Sequence, residues 1–485
     1  MGGLVAYGAY IPHYRLTQSA RSAVLGKGGG SRARSVAAYD EDATTMGVEA
    51  ARTTLRDLPP PVAPERIYLA TANPPYLDKT NAALLHAALG LSRSTLAVDV
   101  GGAPRSAVAA ILAAAEAPEP ALAVLSDLRV GLAGGSEEMD SGDAAAALLF
   151  GEGTSEAPVI AELLATGWTT EEFLDRWRVP GDPTSRVWEE RFGESLYAPA
   201  AAESFAEALK RANVSADQVD HLIVCGLAGR AVKRFAASSG VRREAVAPDR
   251  ASVIGNSGTA QPGVLLADVL DRAGPGQTIA VVLLADGAST LVLRTTEGLR
   301  TARRARPSVA EQVQAGDPGL SYATYLSWRG LLPTEPPRRP EPDAPAAPPT
   351  HRSSGFKYGF IGVRCDNCNT VQLPPNRVCF KCGAVDRMTP KPMADVPAKV
   401  ATYTIDRLAY TPSPPMIAVV LDFEGGGRFR CELTDADPDA LAIGDPVELT
   451  FRRLFTSGGV HNYFWKARPV HATRATTGTS GNEEV

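Results

Sequence analysis

The sequence predicts an α/β protein made of two related layered halves, followed by a small cysteine-bearing module and a β-rich C-terminal region. Three observations carry this expectation. One order of strands and helices occurs twice before residue 300. A proline-dense stretch, LLPTEPPRRPEPDAPAAPPTHRSSG at 331–355, then separates those halves from the rest. Beyond it, four of the six cysteines fall in one window: Cys365, Cys368, Cys379 and Cys382.

In the first copy, RIYLATANPPYLDKTNAALLHAALG reads as strand, loop and helix, and TLAVDVGGAPRSAVAAILAAAEA as strand, glycine turn and helix; ALAVLSD and DAAAALLFGE are two further strands. In the second, HLIVCGLAGRAVKRFAASSG, ASVIGNSGTAQPGVLLADVLDRA, TIAVVLLAD and GASTLVLRT repeat that order. The glycine turns at 101–102 and 255–256 therefore sit at the carboxyl ends of strands, where open α/β sheets place their ligands. The amphipathic segment between the halves carries Trp168, Phe173, Trp177, Trp188 and Phe192, read as core or dimer packing. Prolines at 331–355 favour an extended spacer, and GKGGGSRARS near residue 30 reads as a mobile surface loop. The division expected is 1–165 first half, 166–330 inter-half helical segment and second half, 331–355 linker, 356–390 cysteine module, 391–472 β-rich domain and 473–485 flexible tail.

Composition narrows the function classes. Of 485 residues, 44% are hydrophobic and 21% charged, and a net charge of −5 gives no electrostatic reason to expect nucleic acid or a membrane surface as partner. No apolar run approaches the roughly 20 residues of a spanning helix, and MGGLVAYGAYIPHYRL lacks an export signal's pattern, so a cytoplasmic location is expected. Two Cys-x-x-Cys knuckles bring four thiolates together, leaving no open position for water; the ion expected is a structural zinc. The competing reading is four reduced thiols in a small core, which a short module has too little apolar material to build.

Six stretches in order, GAYIPHYRL (8–16), EDATTMGVEAARTTL (41–55), PPYLDKTNAALLHAALGL (74–91), GDAAAALLFG (142–151), IGNSGTA (254–260) and LADGASTLVL (284–293), resemble the hydroxymethylglutaryl-CoA synthase branch of the thiolase superfamily. The remainder resembles acyl-CoA-associated domains that join a rubredoxin-like zinc ribbon to an OB-fold; KVATYTIDRLAY, MIAVVLDFEGGGRFRCEL, DPVELTFRRLF and NYFWKARPV supply its strands. The resemblance implies a duplicated thiolase-like fold, a homodimer through that unit, coenzyme A as part of the substrate, and a partner protein from acyl-CoA metabolism. HNYFWK at 461–466 is expected to close the OB core against the thiolase-like unit rather than to stack an adenine.

In the resembled family, a cysteine at a helix start is acylated, a second-half histidine assists, and a glutamate moves protons. This chain has no cysteine before Cys225, and the nucleophile's place falls at Pro104. The histidine's place falls near Cys225 and Gly226, and the glutamate's near Ala72. What remains for an oxyanion is backbone N–H groups around Arg105 and Ser106, and the side chain of Asn256, which matches the family's asparagine. Gly102, Arg105, Gly255 and Ser257 are the substrate-binding candidates, Arg105 through a CoA phosphate or a substrate carboxylate. Tyr76 is the first candidate proton carrier, with Asp78 and Cys225 behind it; Ser106 as nucleophile lacks a histidine partner, and Asp99 is read as a cap. The expected activity is aldolase-like or retro-aldolase-like carbon–carbon chemistry on a CoA thioester without an acyl-cysteine. The alternatives are a non-catalytic acyl-CoA-binding scaffold subunit and an acyltransferase or synthase of the hydroxymethylglutaryl-CoA type using Cys225.

Overall fold

The computed structural model describes residues 2–470 apart from 27, 57, 60, 61, 302–305, 336, 337, 339 and 341, and the backbone alone of Glu190. The expected flexible tail, 473–485, lies outside the described residues.

One nine-stranded sheet runs through both halves. In the first half, Leu96–Gly101, Arg66–Thr71 and Ala121–Asp127 are parallel neighbours, and Ala144–Gly151 and Gly3–Tyr10 continue the sheet antiparallel. The second half repeats the pattern: His221–Gly226 lies parallel to Thr278–Leu284, followed by antiparallel Gly287–Thr295 and Ala161–Thr170. The halves join where Leu4 pairs with Ala161. Strands such as Thr278–Leu284 are buried along their whole length, as continuous apolar runs covered on both faces must be. Helix Gln261–Leu270, also buried at every position, packs with Ser106–Ala115 into one core with both halves of the sheet, and Pro262 suits its first turn.

Four expectations are corrected. The second-half counterpart of strand Leu96–Gly101 shrinks to a single parallel bridge between Leu222 and Val246, because the chain after Pro248 turns at Arg250 (φ 56°) instead of extending through ASVI. The inter-half segment opens as strand Ala161–Thr170, which runs across 165/166, before the 23-residue helix Glu190–Ala212. Of its aromatics, Phe173 packs against Tyr197 and Phe192, while Phe192, Trp168 and Trp188 keep exposed faces, which leaves only the dimer-packing reading open for the two tryptophans. The segment near residue 30 is an exposed loop only as far as Arg32; it then closes into strand Ala33–Val36, where fully buried Arg34 donates to Asp143 and Tyr325. Finally, the proline-rich stretch becomes helical at Ala347–Arg352, its prolines falling in the first turn, where a missing N–H costs nothing.

After helix Ser354–Gly359, a three-stranded sheet of Val371–Gln372, Ile361–Cys365 and Met388–Pro392 forms the cysteine module. A closed five-stranded barrel follows, from Ala398–Asp406 to Val460–Pro469. Cys431 lies in its strand Arg428–Leu433, where burial pushes the thiol up to about 12. Barrel residues Val400, Phe451 and Trp465 share one apolar cluster with Met46, Ile67 and Leu69 of the α/β unit. The stretch HNYFWK closes this seam: Tyr463 donates to Asp42 (2.7 Å), Trp465 to the Tyr358 carbonyl (2.7 Å), and Arg52 stacks over Trp465.

Candidate functional site

A cavity of about 680 Å³ opens at the second-half strand ends, lined by Cys225, Gly226 and Asn256 together with Asp175, Arg176 and Trp188 of the inter-half segment. Its floor depends on a close approach of two loops. Gly255 has φ +73°, and a Cβ there would stand 2.1 Å from the Ser141 carbonyl oxygen, so only glycine lets Asn256 pair with Ser141. The Asn256 side chain is fixed: Nδ2 donates to the Gly226 carbonyl (2.8 Å) and Oδ1 accepts from the Gly258 N–H (2.9 Å). These bonds use one of its two amide protons.

The titratable groups of the wall differ sharply. Burial alone would raise Glu137, but Arg129 (2.6 Å) and Arg176 (2.7 Å) outweigh it and hold the carboxylate below its ordinary range. Burial pushes Asp175 up, partly offset by a hydrogen bond with Tyr197 and by the adjacent Arg176. Cys225 is 2% exposed; burial raises its thiol far above the ordinary range, and Sγ donates to the Val282 carbonyl (3.5 Å). A thiol so held is not a nucleophile.

The sequence-derived candidates separate into three places. Asn256 and Cys225 share the cavity wall, but Ser257 is 1% exposed, its N–H and hydroxyl both donating to Gln261. At the first-half turn, Gly102 (φ +111°) faces open space, yet the Ser106 N–H donates to Ala103 O and its hydroxyl to Gly101 O (2.9 Å). Arg105 crosses to the other half and donates to the carbonyls of Asp286 and Thr169. Both Ser106 donors are thus engaged within the turn, and neither Arg105 nor Ser106 reaches the cavity wall. Tyr76 lies at the barrel seam instead: its hydroxyl accepts the His461 N–H (2.8 Å), and the two rings are 4.7 Å apart. Asp78 is exposed on the same loop, while Asp99 accepts from the N–H groups of Asn81 and Ala82.

Sequence reading missed Asp127, Arg178, Glu137 and Asp175. Asp127, fully buried at a strand end, accepts from the Ala72 and Thr259 N–H groups and so clamps the two halves together. Arg178 donates to the Ala72 carbonyl and to Asn73 (3.0 Å), placing a cation beside the position where a glutamate is expected from the resemblance. Asp127 had a visible signal, a lone carboxylate ending the apolar run ALAVLSD; Arg178 and Asp175 lie in a segment without helical or strand periodicity, and Glu137 in a helix of only five residues, Ser136–Asp140.

The four cysteines converge within 4.8 Å of one another. Sγ separations of 3.7 Å (Cys365 to Cys382) and 3.6 Å (Cys368 to Cys379) match the edge of about 3.8 Å that a tetrahedron with zinc–sulfur bonds of about 2.3 Å requires. Asn369 and Gly383, both at positive φ, turn the two knuckles, and Thr370, 3.2 Å from Cys368, is the largest influence lowering that thiol to about 6. The donor set fits a closed structural zinc site.

Residues 357–386 match the family model described as "ChsH2, rubredoxin-like zinc ribbon domain", and 391–452 the one described as "ChsH2, C-terminal OB-fold domain". The N-terminal part is 26% identical over 348 residues to the hydroxymethylglutaryl-CoA synthase of Picrophilus torridus, covering 68% of this chain and 98% of that protein. It is 29% identical over 349 residues to that of Pyrobaculum neutrophilum, covering 68% and 97%. Among solved structures, an HMG-CoA synthase complexed with CoA superposes with a TM-score of 0.56 at 19% identity, covering 67% of this chain and 89% of that one. The chain is a thiolase-like unit joined to a zinc ribbon and an OB-fold. The 3-oxoacyl-(acyl carrier protein) synthase III of Pseudomonas aeruginosa shares the fold of the thiolase-like unit, with a TM-score of 0.52 at 21% identity over 61% of this chain and 98% of that one. Among the described residues, no helix of this thiolase-like protein is long and apolar enough to cross a membrane.

Proposed function

We propose that this chain binds an acyl-CoA thioester in the strand-end cavity and makes or breaks a carbon–carbon bond beside the carbonyl without an acyl-cysteine. One observation carries the reading: the cavity presents the fixed Asn256 amide and two carboxyls of opposite character, while its wall thiol, Cys225, is buried and protonated. A volume of about 680 Å³ lies within the range of small-molecule sites and suits an acyl-pantetheine arm. An amide proton aimed at a thioester oxygen stabilises an enolate, and enolate chemistry needs no covalent intermediate. The edge strand Leu96–Gly101, with Leu96 47% exposed, supports dimerisation through the thiolase-like unit. The resemblance of the C-terminal domains extends the proposal to a partner protein that supplies or takes up the acyl-CoA.

A scaffold that binds acyl-CoA without turning it over is favoured by one feature, the engagement of both Ser106 donors by Ala103 and Gly101 and of the Arg105 guanidinium by the other half. A synthase or acyltransferase using Cys225 needs that thiol exposed. The test is incubation with β-hydroxyacyl-CoA and β-ketoacyl-CoA esters, followed by mass spectrometry of products and protein. Cleavage or condensation without adduct is expected; binding without products supports the scaffold, and an adduct on Cys225 supports the acyltransferase.

A further inference from the structure

The geometry points to Asp175 as the proton carrier of the strand-end cavity, oriented by the hydroxyl of Tyr197. This rests on the carbon–carbon reading above and gives it the acid–base group that Tyr76, bound at the OB-fold seam, does not supply.

Asp175 is placed from two sides. Its own carbonyl accepts the Trp188 N–H (2.7 Å), tying together the arms of the small hairpin in which Arg176–Trp177 pairs with Arg186–Val187. Its carboxylate abuts helix Glu190–Ala212 at Gly193, where an added Cβ would lie 3.7 Å from Oδ2. One turn further along that helix stands Tyr197, 4% exposed, its ring edge-on to Phe173 at 4.9 Å and reaching the same point over Gly193 as the Asp175 carboxylate, 3.7 Å from that added Cβ. The carboxyl is therefore packed beside a buried phenol while lining the cavity that Asn256 also lines.

The other wall carboxylates are engaged or exposed. Glu137 is gripped by two arginines and stays ionised; Asp140 pairs with Arg32 at 2.7 Å; Glu189 and Asp249 are exposed at the rim. Asp175 faces Tyr197, Arg176 and Asp286, and its burial favours the neutral acid over these neighbours. Two carboxyls of one cavity pushed in opposite directions divide the work between a fixed charge and a proton carrier.

In the cleavage direction, the Asp175 carboxylate takes the β-hydroxyl proton. The O–H electron pair becomes the new C=O bond, the Cα–Cβ bond breaks, and its pair moves to Cα and the thioester oxygen beside Asn256. Cα then takes the same proton back from Asp175, releasing an aldehyde or ketone and a shortened acyl-CoA. The condensation direction is the reverse, and no other reactant is needed.

The test uses the full chain, β-hydroxyacyl-CoA esters to follow cleavage, and a saturated acyl-CoA in D₂O to follow deuterium entry at Cα. Asp175→Asn is expected to slow both by at least about 100-fold while CoA binds within a few-fold of wild type. Tyr197→Phe removes a donor to the carboxylate, which raises Asp175 further and moves the acid limb of the rate profile to higher pH. Full cleavage by Asp175→Asn overturns this inference alone, as does an unshifted acid limb in Tyr197→Phe should the first variant fail to fold. A wild-type protein that binds CoA but neither exchanges nor cleaves overturns the functional reading and this inference together.

Discussion

The seam between the thiolase-like unit and the OB-fold and the cavity at the strand ends both concentrate buried charge, and they use it in opposite ways. At the seam, Arg452 reaches Asp40 (3.0 Å), Glu41 (3.3 Å) and Asp435 (2.5 Å), while Lys466 holds Asp40 (3.0 Å) and Glu432 (2.7 Å). Arg452 and Asp40 are completely buried there. In the cavity, Asp175 and Asn256 are held in place but keep a face towards open space. Satisfied charge fixes a domain orientation, whereas held but incompletely engaged polar groups are available to a ligand.

Removing the metal is the strongest way to separate the two regions. Structural zinc supplies about 10–16 kcal/mol to small folded modules, so chelation should unfold the ribbon while CoA binding in the cavity persists. Elemental analysis and limited proteolysis at 361–392 read the first effect and calorimetry the second. Arg452→Met should cost about 3–5 kcal/mol in denaturant unfolding, because it leaves several carboxylates buried without their cation. The same variant should leave affinity for CoA unchanged.

Asn256→Ala acts in the reverse sense. Turnover should fall about 10²–10³-fold, with little change in unfolding free energy. Glu41 gives the smallest effect. Burial, the dominant cause, lifts its carboxyl from 4.5 to about 7 against the pull of Arg452, so the fold keeps a proton that the unfolded chain releases. Its stabilising contribution is complete below about pH 4.5 and is lost as pH rises through about 7, by at most about 3 kcal/mol. Glu41→Gln should flatten that decline in a stability-against-pH series; a decline as steep as in wild type would reassign it to another group.

The repeat, the zinc ligands and the OB-fold strands were legible because each is a local pattern of apolar runs, glycine turns or ligand spacing. Segment 171–192 was not, for its two-residue strands and irregular aromatics carry no period, and Asp175 acquires its position only when the hairpin folds against Gly193 and Tyr197. Tyr76 misled for a related reason. The loop PPYLDKTN does follow a strand end, but the OB-fold, encoded some 385 residues away, claims its hydroxyl through His461. Arg34 read as part of a solvated glycine-rich loop, yet Asp143 and Tyr325 draw it wholly inside.

By itself the sequence determined the two-half architecture, the four-thiolate site and the absence of any cysteine before Cys225, since these depend on residue type and spacing along the chain. The tertiary structure alone decided which strand-end turn stays open. Both turns follow strands and precede helices, but the first sends Arg105 across to Asp286 and Thr169 and leaves Gly102 at the surface, while the Gly255 contact with Ser141 sets Asn256 on the wall of a cavity at the second. Those contacts join residues more than 60 positions apart, and only packing brings them within hydrogen-bonding range.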